Sequence, residues 1–224
     1  MGANCSWEPQ GSVAVLKIHA GKVNAFSHEL IDELHSALDE IIAGEPKAVV
    51  LTGQEGIFSA GFDLKVMKSS PENAAKLIQA GGELLSRMYL LEKPLIIAAS
   101  GHALAMGAIT LFVGDIRIGA EGSFKIGLNE TNIGMVLPQF VIALAQDRLS
   151  TSMRSRAIAI GEIFNPEDAC KAGFLDMTVP QDQLLVEAIA YGEKLGAYVD
   201  QKAFAENKRR LRIATLESVA GNWS

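Results

Sequence analysis

Cysteine, excess basic charge and phosphate-cradling loops are scarce or missing in this chain, and each shortage closes a class of function. Only Cys5 and Cys170 occur among 224 residues, far apart and without CxxC spacing. Neither a disulfide framework nor a zinc ribbon can be assembled, and two reduced thiols in the cytoplasm are the expectation. Lys and Arg number 20 against 26 Asp and Glu, giving a net charge of −6 and a pI near 5.3. Such a surface offers no general attraction to a polyphosphate, so no nucleic-acid partner is expected. No GxGxxG or GxxxxGK[ST] spacing is present, which removes the dinucleotide turn and the phosphate loop. The start, MGANCSWEPQ, lacks the basic and apolar stretches of a secretory signal, and Gly2 with Ser6 meets only the loosest myristoylation pattern. His19, His28 and His35 do not form a justifiable metal-ligand set with their acidic neighbours, so no metal is expected.

Charge is also absent from the 21 residues between Pro94 and Gly114. Their number would span a bilayer. Their order, a β-branched run, then Ser100-Gly101-His102, then Met106-Gly107, instead describes a buried strand, a turn and a buried helix, so no membrane partner is expected. Hydrophobic residues at 49%, charged residues at 21% and a mean hydropathy of +0.20 fit a folded globular chain and exclude disorder.

Hydrophobic periodicity supplies the element order. Val13 to Ile18 reads as a strand. Ser27 caps a helix whose Leu30, Ile31, Leu34, Leu38, Ile41 and Ile42 share a face, and Gly44 stops it. Ala48 to Gly53 is an unbroken apolar run of the kind covered on both faces of a parallel sheet. A helix from Pro71 to Leu91, a strand from Leu95 to Ala99, a helix from Ala105 to Val113 and a strand from Asp115 to Ala120 continue the alternation, which defines an α/β fold. After about Pro138 helical patterns dominate: Asn165-Pro166-Glu167-Asp168 opens one helix, and Gln181 to Tyr198 and Lys202 to Val219 form two more. No repeat, low-complexity tract or linker divides the chain, so one domain with a helical extension is expected.

Three stretches carry candidate chemistry. Phe58-Ser59-Ala60-Gly61-Phe62-Asp63-Leu64 and Gly101-His102-Ala103-Leu104-Ala105-Met106-Gly107 each read as a glycine-containing turn from strand to helix. The first N–H groups of a helix are unpaired and sit at its positive end, so two such turns can grip one oxyanion; equally, Gly61 and Gly107 can serve only tight turns or close packing. In the third stretch, from Phe124 to Met135, Glu130 is the acid to watch. An acid carried into an apolar pocket has a raised pKa and shuttles protons near neutrality, whereas the same residue in an exposed turn does nothing. His102 reads as a hydrogen-bonded core histidine or a base. Ser59 and Ser100 lack the GxSxG elbow of a serine hydrolase. Lys208-Arg209-Arg210 with Arg212 reads as a solvated basic face or a contact to phosphates, and Asp115 and Arg117 as a pair or cap at the core edge.

Taken in order, Lys22-Val23-Asn24-Ala25, the FSAGFDL stretch, the GHALAMGA stretch followed by Asp115-Ile116-Arg117, Asn129-Glu130-Thr131 through Gly134 and Pro138, and Lys208-Arg209 resemble the crotonase family of enoyl-CoA hydratases and isomerases, from Val13 to about Val219. The resemblance implies an α/β spiral of ββα units over about residues 1–180, a C-terminal helical region over about 181–224, and assembly as a homotrimer or a dimer of trimers. It implies acyl-CoA thioesters as substrates, with coenzyme A part of the substrate and no separate cofactor. The backbone N–H groups of Phe62 and Met106 are then the oxyanion hole. Lys22, Val23, Ala25, Ser59, Ala60, Asp63, Leu64 and Lys65 lie along the CoA, and Gly107 and Ile109 beside the substrate. Donors aimed at the thioester oxygen stabilise an enolate. The chain also departs from the family pattern. Where hydratases commonly carry a first glutamate stands Ile109; where a middle glycine is usual stands Met106, which narrows or redirects the acyl pocket; and Ser224 falls short of the last helices of longer relatives. Hydration benefits from two acid–base groups, whereas moving a double bond needs one. Glu130 alone therefore points to isomerisation, with one-acid hydration and a non-catalytic acyl-CoA scaffold as the other readings.

Overall fold

The computed structural model describes residues 2–217. The chain opens with an antiparallel hairpin, β1 (Cys5–Gln10) and β2 (Val13–Ile18), followed by helix α1 (His28–Ala43), whose cap is the Ser27 hydroxyl accepting from the Leu30 N–H. Next come β3 (Ala48–Thr52), β4 (Gly56–Ser59), a short α2 (Leu64–Met67), α3 (Pro71–Tyr89), β5 (Leu95–Ala99), β6 (Gly101–Leu104), α4 (Met106–Leu111), β7 (Ile116–Ala120) and β8 (Ile126–Gly127). The remainder is mainly helical: α5 (Gln139–Arg148), α6 (Pro166–Ala172), the strand β9 (Met177–Val179), α7 (Leu184–Tyr198) and α8 (Gln201–Glu217). The helix anticipated to Val219 is followed to Glu217; positions 218 and 219 lie outside the described residues.

Two sheets organise these elements. Six strands in the order β1-β2-β3-β5-β7-β9, parallel except for the first pair, form the larger; β4-β6-β8, all parallel, form the smaller. The large sheet is covered on both faces. Ala14, Leu16, Ile18, Val49, Leu51 and Ile97 join the core under α1 and α3, while Val13, Ala48, Val50, Ile96 and Ala98 meet α7 through Leu184 and Ala188. Alternate residues of one strand thus enter two cores, which is why β3 and β5 read as continuous apolar runs rather than alternating ones.

The structure corrects the sequence reading at several points. β1, β4, β8 and β9 were not anticipated, and Gly101–Leu104 is a strand, not a turn. α4 is shorter than Ala105–Val113. These segments are short or lack clean alternation, so tertiary pairing, not local pattern, makes them strands. The basic run on α8 is divided. Arg209 and Arg210 are exposed and paired with Glu206, but Lys208 and Arg212 point inward, only 4% exposed at their side chains. Both grip Asp115, at 2.7 and 2.8 Å, and Asp115 Oδ2 also accepts from the Leu95 N–H. Arg117 pairs with Asp176 instead. The Arg212 guanidinium further donates to the carbonyls of Tyr89 and Val113 and lies over the Tyr89 ring. Among the described residues no helix is long and apolar enough to cross a membrane.

Removing one member of a buried ion cluster strands the others, at about 3–5 kcal/mol. Asp115→Ala leaves two buried cations without their carboxylate and should lower unfolding free energy by about that much. Lys208→Met leaves Asp115 with Arg212 and should cost clearly less. Urea denaturation of both variants checks this, and equal midpoints for Asp115→Ala and wild type would refute the cluster's role in holding α8.

Candidate active site

The smaller sheet brings the two turns together. β4 pairs in parallel with β6, so the chain leaving Ser59 and the chain leaving Leu104 emerge side by side. The first turn is held on both sides of Phe62: Phe26 N–H donates to the Gly61 carbonyl at 2.9 Å, and Asp63 N–H to the Phe26 carbonyl at 2.9 Å. Gly61 has φ +110, and a Cβ added there would sit 2.9 Å from Ala105 Cβ and 3.6 Å from Met106 N. Only glycine lets the turns touch in this way. On the second turn, Ala105 has φ +49, unfavourable for a residue with a side chain, and its N–H donates to the Gly127 carbonyl at 3.1 Å. Met106, the first residue of α4, follows directly. The N–H groups of Phe62 and Met106 have no acceptor among the described residues, while their neighbours Gly61, Asp63 and Ala105 are all paired. Two unpaired amides on abutting turns can hold one carbonyl oxygen.

Glu130 lies beside them. Its segment leaves β8, makes a single 3₁₀ turn over Thr131–Ile133, and is closed by Gly134 in the left-handed region. The Glu130 carbonyl accepts from Ile133 and Met135 N–H, but its carboxyl group is buried, with Oε2 meeting no hydrogen-bond partner in the structure. Burial pushes the Glu130 pKa above the usual carboxylate range, only partly opposed by a local backbone hydrogen bond. The group faces a narrow pocket of about 50 Å³ among Phe62, Gly82, Leu85, Met106 and Ile109, in which it is the only ionisable lining residue among the described residues. Ile109 is 4% exposed, so an apolar wall stands at that position. A larger groove of about 900 Å³ along Trp7, Lys17 and Gln181 contains neither turn nor Glu130.

The other anticipated residues divide into two groups. Lys22, Val23, Ala60, Leu64 and Lys65 are exposed, Ala25 is half-buried, and Asp63 caps α2 by accepting from Lys65 N–H at 2.7 Å. Ser59 and Gly107 do not lie at the surface. The Ser59 hydroxyl donates to the Asn24 carbonyl at 2.8 Å and accepts from Gly61 N–H at 3.1 Å, and a Cβ on Gly107 would fall 2.3 Å from the Ser59 carbonyl oxygen. They sit behind the turns and hold them. His102 accepts through Nδ1 from Lys125 N–H at 2.9 Å and meets Phe124 edge-on, a structural role.

Two contributors were missed. Asn24, fully buried with φ +48, donates to the Phe58 carbonyl at 3.0 Å and accepts from Gln54 Nε2 at 2.7 Å, tying the 22–25 loop to β4. Gly81 and Gly82 on α3 back the pocket. Two adjacent glycines inside a long amphipathic helix, each costing about 1 kcal/mol against alanine, were a legible signal of something packed close.

The chain is similar to known proteins over most of its length. The profile of the family described as enoyl-CoA hydratase/isomerase matches residues 8–215. An enoyl-CoA delta isomerase 1, mitochondrial, from Rattus norvegicus is 31% identical over 94% of this chain and 78% of its own. A probable enoyl-CoA hydratase from Bacillus subtilis (strain 168) is 33% identical over 94% of this chain and 79% of its own. The crystal structure of an enoyl-CoA hydratase/isomerase family protein from Pseudomonas syringae superposes with a TM-score of 0.95 at 40% identity, covering 98% of this chain and 95% of that one. The chain belongs to the enoyl-CoA hydratase/isomerase family, has the crotonase fold with its C-terminal helical region, and is an enzyme of that type.

A buried acid without a partner is bought at the expense of stability. Because the folded-state pKa of Glu130 lies above its unfolded value, the native chain holds that proton longer. Its contribution is fully present below the ordinary glutamate range and is lost as pH rises through the raised pKa. Glu130→Gln, which cannot ionise, should therefore be more stable than wild type at pH 7 and lose that advantage near pH 4. Denaturant titrations at the two pH values test this; a variant equally or less stable at pH 7 would show that Glu130 is not desolvated.

Proposed function

We propose that the enzyme moves the double bond of an enoyl-CoA from carbon 3 to carbon 2. The thioester oxygen sits between the Phe62 and Met106 amides. Glu130, as carboxylate, removes a proton from carbon 2; electrons move into the carbonyl, and the dienolate oxygen is held by the two N–H groups. The protonated Glu130 then returns the proton to carbon 4, and the conjugated thioester forms as the carbonyl is restored. One group performs both transfers, so the carboxylate is regenerated without water. The observation that carries this reading is that, among the described residues, Glu130 is the only ionisable one lining a pocket that also contains Phe62 and Met106.

The thioester is the sole small molecule this route requires, coenzyme A being part of it. Lys22, Val23, Leu64 and Lys65 ring the outer side of the first turn and suit the CoA portion, the two lysines matching its phosphates by charge. The family resemblance supports one domain per chain and a homotrimer or dimer of trimers, and the two free thiols support a reducing compartment, the cytoplasm in our reading.

Absorbance of the conjugated thioester tests the reaction. A 3-enoyl-CoA should gain signal and crotonyl-CoA should keep it, and Glu130→Gln should lower kcat by about 10²–10⁴ while CoA-ester binding persists. Loss of the crotonyl-CoA signal would mean hydration, silence with retained binding would mean a non-catalytic protein, and full turnover by the variant would remove Glu130 from the chemistry.

A further inference from the structure

The acyl end of the site is closed by residues that have no room to retreat. Met106 and Ile109, one turn apart on α4, are both buried and both line the pocket, and Leu85 and Gly82 of α3 form the facing wall. α3 comes close because Gly81 has no side chain: a Cβ there would meet the Phe62 ring at 2.6 Å and the Met106 terminal methyl at 3.3 Å. The methionine methyl and the phenylalanine ring are thus already seated on the backbone of α3. A methionine ordinarily yields to a ligand by rotating, but here the direction toward α3 is taken. The space remaining, about 50 Å³, is about three to five times the roughly 10–15 Å³ that one water, which a methylene resembles in size, needs on the same measure.

We infer that Met106, braced against Gly81, and Ile109 together set the length of the acyl chain, and that the enzyme takes short-chain enoyl-CoA esters of about four to six carbons, since the free space accepts about three to five carbons beyond the carbonyl, the reacting ones included. This rests on the acyl-CoA reading above and names the substrate class for the same pocket. The residue one would otherwise suspect, Val136 at the rim, is 90% exposed and leaves the inner wall unchanged.

Binding of saturated acyl-CoA esters, from four to twelve carbons, tests this without turnover. A methylene that enters an apolar pocket raises affinity about fourfold. Wild type should show that gain per methylene up to about six carbons and none, or a fall, beyond. Met106→Ala and, separately, Ile109→Ala should move the break by two or more carbons. Thermal melting confirms that each variant is folded, and the wild-type series stands even if one is not. A fourfold gain per methylene that continues to ten carbons in wild type, or a break that neither folded variant moves, overturns the inference. No binding of any acyl-CoA ester would instead overturn the acyl-CoA reading and the inference together. Binding with the expected break but no isomerisation would sink only the reaction.

Discussion

Parallel pairing of β4 with β6 is the constraint from which the site follows. Two strands that run in the same direction must end on the same side, so the peptide units beyond Ser59 and Leu104 are delivered to one place. Gly61 then removes the side chain that would separate them, and Ala105 accepts a costly backbone angle beside it. The small sheet is minor in area but sets the position of both free amides. The large sheet and its helices serve as the rigid support against which Asn24 and Ser59 can lock the first turn.

The electrostatics are arranged by exclusion. Pocket walls from α3, α4 and α5 contribute apolar atoms, and Glu130 is left as an isolated acid. An acid with no cation nearby has little to gain from being charged in that setting, which is the condition for giving a proton back after taking it. The unpaired peptide N–H groups of Phe62 and Met106 are dipoles fixed by the backbone, and such groups need no reorientation when a charge develops beside them.

How much of this was legible depended on whether a feature is local. α1 is announced by period, cap and stop signals, α3 by a long helical pattern opening at Pro71, and β3 and β5 by short apolar runs, all properties of neighbouring residues. Glu130 and the two turns were visible as residue types in a suggestive order, and the family resemblance gave them roles. β4, β8 and β9 were not visible, because four, two and three residues carry too little pattern and are strands only by virtue of a partner. The inward turn of Lys208 and Arg212 was equally hidden: on α8 they are separated by one helical turn and look like solvated charge until Asp115 is placed beneath them. The bonding of the Ser59 hydroxyl was hidden for a related reason, since nothing local announces that it meets Gly61 N–H and the Asn24 carbonyl.

That same aspartate fixes when the molecule can be finished. Lys208 follows Asp115 by 93 positions, which a ribosome covers in roughly 5–20 s. Throughout that interval the growing polypeptide carries Asp115 without its two cationic partners. A nascent chain halted before Lys208 would hold Phe62, Met106 and Glu130 yet lack the two cations that neutralise this buried carboxylate.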